Sequence, residues 1–415
     1  MDNNVILATE LPAFGGEHEW AEIRCASRKA YGCGEQGQRL LNGLTLLARL
    51  VDNPVLTTAL CIHVDAQARQ IIRAQLGAGK HEPIFQSTMY GNVDLADGDL
   101  VVLTLPLSYC PQLAYHLIYD AAAESLSMLP HMRTDNARRL TATPIPVRQR
   151  GEIGLLLVAK VLRSRTTYEQ RRRVFDDDAL CMLHPAAAPP PPADDDMEEY
   201  SHIAPWQRTQ RCVTGEGSTT HAFWVQVVFS FQGRAFWADL AKGVLHCNPL
   251  ATTGGGHSSD HVDLEFIALP PGYRVDDPHH PQMLPIEMLR TIGAVGDSIK
   301  FVCIDDTGDD IGARTVAVWS LRLDRKRWTR DVAFSVRSLW ELEGFKRAGL
   351  PETEPKCPAL TSDGALCLLF PNLRKRVEDS MADYICSVDM SRKTVLWSGR
   401  LDHHNTSQPT ENVWM

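Results

Sequence analysis

Residues 315–328 read TVAVWSLRLDRKRW. Val316, Val318, Trp319, Leu321 and Leu323 form an apolar run, Asp324-Arg325-Lys326-Arg327 a charged turn, and Trp328 an apolar return. Apolar run, short polar turn and bulky return predict a β-hairpin. Similar runs stand at 56–65 (LTTALCIHVD), 98–106 (GDLVVLTLP), 113–120 (LAYHLIYD) and 151–162, most of them ended by Asp or Pro. Further on come HAFWVQVVFSFQGRAFWADL (221–240), SIKFVCIDD (298–306), GALCLLFP (364–371) and DYICSVDM (383–390). Residues 39–51, RLLNGLTLLARLV, fit either an amphipathic helix or two buried strands broken at Asn42-Gly43. Long helical patterns are scarce, so the fold class is all-β.

Three stretches share one layout: YDAAAESLSML from Tyr119, ADLAKGVLHCN from Ala238 and VDMSRKTVLWS from Val388. Each apolar run closes on an aspartate (Asp120, Asp239, Asp389), and an apolar return follows six residues later at Leu126, Leu245 or Val395. The 315–328 unit fits loosely, with Leu321 in the aspartate's place and Trp328 as the return. We expect the aspartates to accept backbone N–H bonds in the turns that follow. A recurring small antiparallel sheet that buries both faces only against its neighbours implies a β-propeller. At about 40–50 residues per blade the chain allows roughly six to eight blades.

Residues 184–200, HPAAAPPPPADDDMEEY, cannot build a core and read as a disordered linker or loop. The organisation is then 1–97, a poorly legible region or the first blades; 98–183, blades; 184–204, a Pro/acidic linker; 205–402, blades; and 403–415, a tail. Just before the linker, RRRVFDDD (171–178) is a solvated charged segment.

With 42 basic against 51 acidic residues the net charge is −9, which argues against generic nucleic-acid binding. Eleven cysteines lie scattered, many inside apolar runs such as FVCID and ALCLLF. They are expected as free thiols in a reducing compartment, cytoplasmic or nuclear, with no disulfide framework. The start, MDNNVILATELPAF, lacks the layout of a signal peptide, and no apolar stretch reaches a membrane span.

The order of motifs in the second half is specific. FWADLAKGVLHCN (236–248), FIALPPGYR (266–274), RTIGAVGDSIKFVCID (290–305) and VAVWSLRLDRKRW (316–328) precede GLPETEPKCPALTSDGALCLLF (349–370) and DYICSVDMSRKTVLWS (383–398). This string resembles the plant family called domain of unknown function 1618 (DUF1618), expanded in grasses. YHLIYDAAAESLSMLP (115–130) is similar to that family's preceding region. The resemblance implies a divergent propeller of kelch or F-box-associated style and no defining activity. The tryptophan-rich first strand that the family would have is not matched by MDNNVILATELPAFGGEHEW. Residues 11–32 lack the leucine-rich body of an F-box helix.

Candidate chemistry is thin. QLGAGKHEP (75–83) has Ala74 and His81 where a phosphate loop needs a glycine and a hydroxyl, so it reads as a turn. HCNPLATTGGGHSSDHVD (246–263) offers His246, Cys247, His257, Asp260 and His261, but in a Gly/Ser loop the i, i+4 histidines share no common face. DDTGDDIG (305–312) lacks the calcium-loop alternation, and PHHPQMLP (278–285) and DHHNTS (402–407) read as exposed loops. Trp224, Trp237, Trp319, Trp328, Trp340 and Trp397 are expected in blade packing. No catalytic, cofactor or metal residue is assigned. The expectation is a non-enzymatic scaffold that binds a partner protein through propeller loops. The alternatives are a hydrolase or lyase with a central-channel site and, third, a ubiquitin-ligase substrate receptor. The missing motifs weigh against an enzyme.

Overall fold

The computed structural model describes residues 21–49, 59–76, 88–89, 92–97, 99–106, 114–130, 144–149, 152–160, 164–166, 173–175, 179–183, 207–214, 223, 225–248, 261–275, 284–305, 310–371 and 382–402. The 184–204 linker and the tail beyond Asp402 fall outside these residues.

Alternation at a period of two builds each strand. In Ser298–Ile304, Ile299, Phe301 and Cys303 enter one core, while Val302 and Ile304 enter the next. Arg234–Asp239 divides likewise, with Phe236 and Ala238 on one side and Ala235 and Trp237 on the other. Both faces of these strands carry core, so most positions are apolar. Phe301 lies fully buried against Trp328 and Tyr273, with ring centroids 6.0 and 5.7 Å away. Trp237, Trp319, Trp328, Trp340 and Trp397 all lie in or against these cores, as expected. Trp224 is outside the described residues.

The described strands assemble into five sheets of four strands or more, plus a two-stranded ribbon. This is an all-β, five-bladed propeller, which corrects the expectation of six to eight kelch or F-box-associated-like blades. Two physical reasons account for the difference. Gln207–Thr214 pairs in parallel with His261–Ala268 and fuses two runs of strands into one eight-stranded sheet. The helices Gly34–Asn42 and Ala66–Leu76 also take up chain that a blade count assigns to strands. Between sheets, Val227–Phe231 lies against Arg290–Val295, and Arg290–Val295 against Lys356–Leu360.

Residues 39–49 take neither expected form whole: the helix Gly34–Asn42 ends at Asn42-Gly43, and the strand Leu44–Arg49 follows it. A Cβ on Gly43 would meet Asp65 Oδ1 at 2.5 Å and Ala68 Cβ at 2.8 Å. That space is needed because Asp65 caps the second helix, accepting from the Ala68 N–H at 2.7 Å. Leu40, Leu41, Leu44 and Leu46 share a core with Leu103, Leu117 and Met128. The described residues 34–76 therefore pack directly on the sheet that follows them.

The aspartate turns form as expected. Asp120 Oδ1 accepts from Ala122 and Ala123 N–H at 3.0 and 3.1 Å, Asp239 Oδ1 from Ala241 at 2.9 Å, and Asp389 Oδ1 from Ser391 and Arg392 at 2.9 Å. Pairing places Asp120 opposite Ser125, Asp389 opposite Thr394 and Arg322 opposite Arg327. Arg322, rather than Leu321, thus holds the aspartate's place in the fourth copy. Those three turns each end on a residue with positive φ, namely Glu124, Lys326 and Lys393. The Asp239 hairpin is out of phase: it joins the second and third strands of its meander, whereas the others join the third and fourth.

Candidate active site

Two polar links tie neighbouring sheets together. Arg290 donates to the carbonyls of Leu240 (2.8 Å) and Tyr273 (2.6 Å), closing the sheet of Arg290–Val295 onto the preceding one. Further out, His246 and Glu265 stand directly opposite on adjacent strands, with His246 Nε2 3.3 Å from Glu265 Oε2. Glu265 also pairs with Lys326 of the next sheet. Burial lowers the His246 pKa to about 4, against the opposing pull of Glu265 and assisted by Arg234 and Lys326. The imidazole is therefore neutral at physiological pH, and its buried Nδ1 has no hydrogen-bond partner. His246 is buried while the Glu265 side chain is 28% exposed, and the pair, with Lys326, works as a joint between the two sheets.

A third cluster is open. Lys300 and Ser320 are cross-strand partners in the sheet Arg290–Ser335. The strand Arg327–Ser335 is bulged: Val318 pairs with Val332 but Trp319 pairs with Arg330, so Asp331 is the extra residue. A bulge re-aims the side chain it carries. Here it brings the Asp331 carboxylate onto the Ser320 hydroxyl. Ser320 Oγ donates to Asp331 Oδ2 at 2.5 Å, and Lys300 Nζ donates to Ser320 Oγ at 2.6 Å and to the same carboxylate oxygen. Ser320 itself is buried, while the Lys300 and Asp331 side chains are 24% and 33% exposed. A hydroxyl in contact with a carboxylate and an ammonium has both a proton acceptor and a cation to stabilise developing negative charge. The cluster lies on the second, third and outermost strands of its sheet, away from the first strands.

The residues singled out from sequence play other parts. His246 and Cys247 are strand residues of the joint and its core, and Asp310 caps a short 3-10 turn and pairs with Arg337 at 2.9 Å. His257, Asp260, the 77–83 turn, His279, His280, His403 and His404 lie outside the described residues, and His261 opens the strand His261–Ala268. Among the described residues no group of three or more His, Cys, Asp or Glu could hold a metal ion, and no helix is long and apolar enough to cross a membrane. Sequence reading missed Ser320, Lys300 and Asp331. The available signal was a polar residue in the register of two otherwise apolar strands, Lys300 before Val302 and Ile304, and Ser320 after Val316 and Val318.

Residues 237–377 match the family described as protein of unknown function (DUF1618). This segment belongs to the DUF1618 family. Its match runs from the Asp239 hairpin through the Ser320 sheet and into the sheet that follows. No curated protein matches the sequence. Among solved structures, an oligogalacturonate lyase in complex with manganese is similar over 95% of this chain and 87% of its own, at 9% identity and a TM-score of 0.34. A protein from Lactobacillus plantarum is similar over 90% and 84%, at 12% identity and 0.28. The tricorn protease is similar over 86% of this chain and 33% of its own, at 9% identity and 0.26. Likeness at this level transfers neither substrate nor metal to this chain. The expectation of a non-enzymatic scaffold and the weighing against an enzyme do not stand: they took the lack of sequence motifs as grounds for a passive role, and fold does not fix function.

Proposed function

We propose that this chain is a hydrolase in which Ser320 is the nucleophile toward an acyl carbonyl. The observation that carries the reading is the single hydrogen-bonded cluster of Ser320, Asp331 and Lys300 on a partly open sheet face. Ser320 Oγ forms the bond to the carbonyl carbon as Asp331 takes its proton. Lys300 stabilises the negative charge that develops beside it. The bond to the leaving group then breaks, and the leaving group takes the proton from Asp331. Water, deprotonated by the same carboxylate, splits the acyl-enzyme and returns the proton to serine. In this reading the chain works in the cytoplasm or nucleus, as a plant member of its family. The cysteines at 25, 33, 247, 303, 357, 367 and 386, all free, support a reducing compartment.

The test is hydrolysis of a panel of 4-nitrophenyl esters by the purified protein, by Ser320→Ala and by Lys300→Met, each checked for folding by circular dichroism. Wild type should exceed Ser320→Ala in kcat by about a thousandfold or more, the loss on removing a catalytic serine reaching roughly 10⁶-fold. Equal rates in wild type and Ser320→Ala would leave the cluster as an interstrand clamp and end the hydrolase reading.

A further inference from the structure

Two residues along from the cluster, on the same sheet face, the chain sets one arginine directly against another. Ser320 pairs with Thr329 and Arg322 with Arg327, so the Arg322–Arg327 row follows the Ser320–Thr329 row at about 7 Å, twice the rise per strand residue. Like charges placed opposite one another across a sheet are destabilising. In its surroundings Arg322 finds only Asp324, at 3.4 Å, and both side chains are well exposed. Arg327 has no ion pair among the described residues and is exposed. The hairpin also carries Arg325, Lys326 and Arg330, in a chain whose net charge is −9. Of these, Arg325 shares Asp324 with Arg322, Lys326 pairs with Glu265 of the preceding sheet, and Arg330 lies over the Trp319 ring on the other face, so Arg322 and Arg327 are the two arginines set opposite one another on the face of the cluster.

We infer that the Arg322–Arg327 pair binds an oxyanion, a carboxylate or phosphate, carried by the substrate one residue row away from the carbonyl that Ser320 attacks. The inference rests on the hydrolase reading and names its substrate class: an anionic acyl compound. A guanidinium fork accepts either oxyanion in a bidentate, charge-assisted pair, which fixes the distance between the anion and the reacting carbonyl. A neutral acyl chain leaves the two arginines facing each other unrelieved.

The experiment compares the mono-4-nitrophenyl ester of adipic acid with 4-nitrophenyl hexanoate, which has the same chain length without the charge. Wild type and Arg327→Gln are measured with both, and inorganic phosphate and glutarate are titrated separately by calorimetry. Wild type is expected to favour the anionic ester in kcat/KM by about tenfold or more, and Arg327→Gln to lose that preference, read as the ratio of the two esters' kcat/KM within each protein. Stronger binding of phosphate than of glutarate would assign the oxyanion as phosphate, and the reverse as carboxylate; either ordering, lost in Arg327→Gln, supports the inference. Equal kcat/KM for the two esters, with neither anion bound, overturns it and leaves the hydrolase reading standing. Anion binding that needs Arg327, in a protein that hydrolyses neither ester, upholds the arginine site and overturns the hydrolase reading instead.

Discussion

Replacing His246 by Gln should flatten the acid limb of the chain's stability curve. His246 is 2% exposed, and burial holds its pKa at about 4 against an ordinary 6.5. An unfolded chain therefore binds a proton between those values that the folded chain refuses, so stability is complete above pH 6.5 and is lost as pH falls toward 4. At roughly 1.4 kcal/mol per pH unit, the full displacement corresponds to about 3 kcal/mol, of which about 2 kcal/mol is gone by pH 4.5. Gln retains a donor for Glu265 but does not titrate. Urea midpoints at pH 7.0 and 4.5, with the slope held common, give the two stabilities for each protein. Wild type should lose about 2 kcal/mol more than His246→Gln over that interval. Parallel losses in the two proteins would refute the argument, because they would mean that His246 titrates alike in the folded and unfolded chains.

Three further outcomes follow from the same geometry. Asp239→Ala should cost about 2 kcal/mol in urea unfolding, because a buried turn N–H from Ala241 loses its acceptor, and Asp239→Asn, which keeps an oxygen, clearly less. Cys247, Cys303 and Cys386 are buried, with burial pushing their thiols up to about 12, 11 and 12. Iodoacetamide at pH 8 should leave them unmodified in the folded protein and alkylate them in urea, as read by peptide mass spectrometry. Glu124, at φ 47°, should tolerate Gly with little change in melting temperature, whereas Glu124→Val should lower it, since a β-branched residue is strained there.

The hairpins were legible because a two-residue period and a turn aspartate act locally. Asp120, Asp239 and Asp389 need only the next two or three N–H groups, and those lie in the same short stretch. The break at Gly43 was legible for a similar reason, although the contact that demands glycine comes from Asp65 and Ala68. Blade number was not, because the parallel pairing of Gln207–Thr214 with His261–Ala268 joins segments separated by a whole meander. Nor was the phase of the Asp239 hairpin, whose turn looks the same between any two strands. The cluster depends on one extra residue at Asp331, and a bulge shifts register without changing the apolar alternation that announces the strand.

The most direct test of the central claim is covalent. Wild-type protein treated with an alkyl fluorophosphonate, digested and mapped by mass spectrometry should carry one adduct, on Ser320, with Lys300→Met labelled more slowly and Ser320→Ala not at all. An unlabelled Ser320 in folded protein, or equal labelling across many exposed serines, would contradict the account.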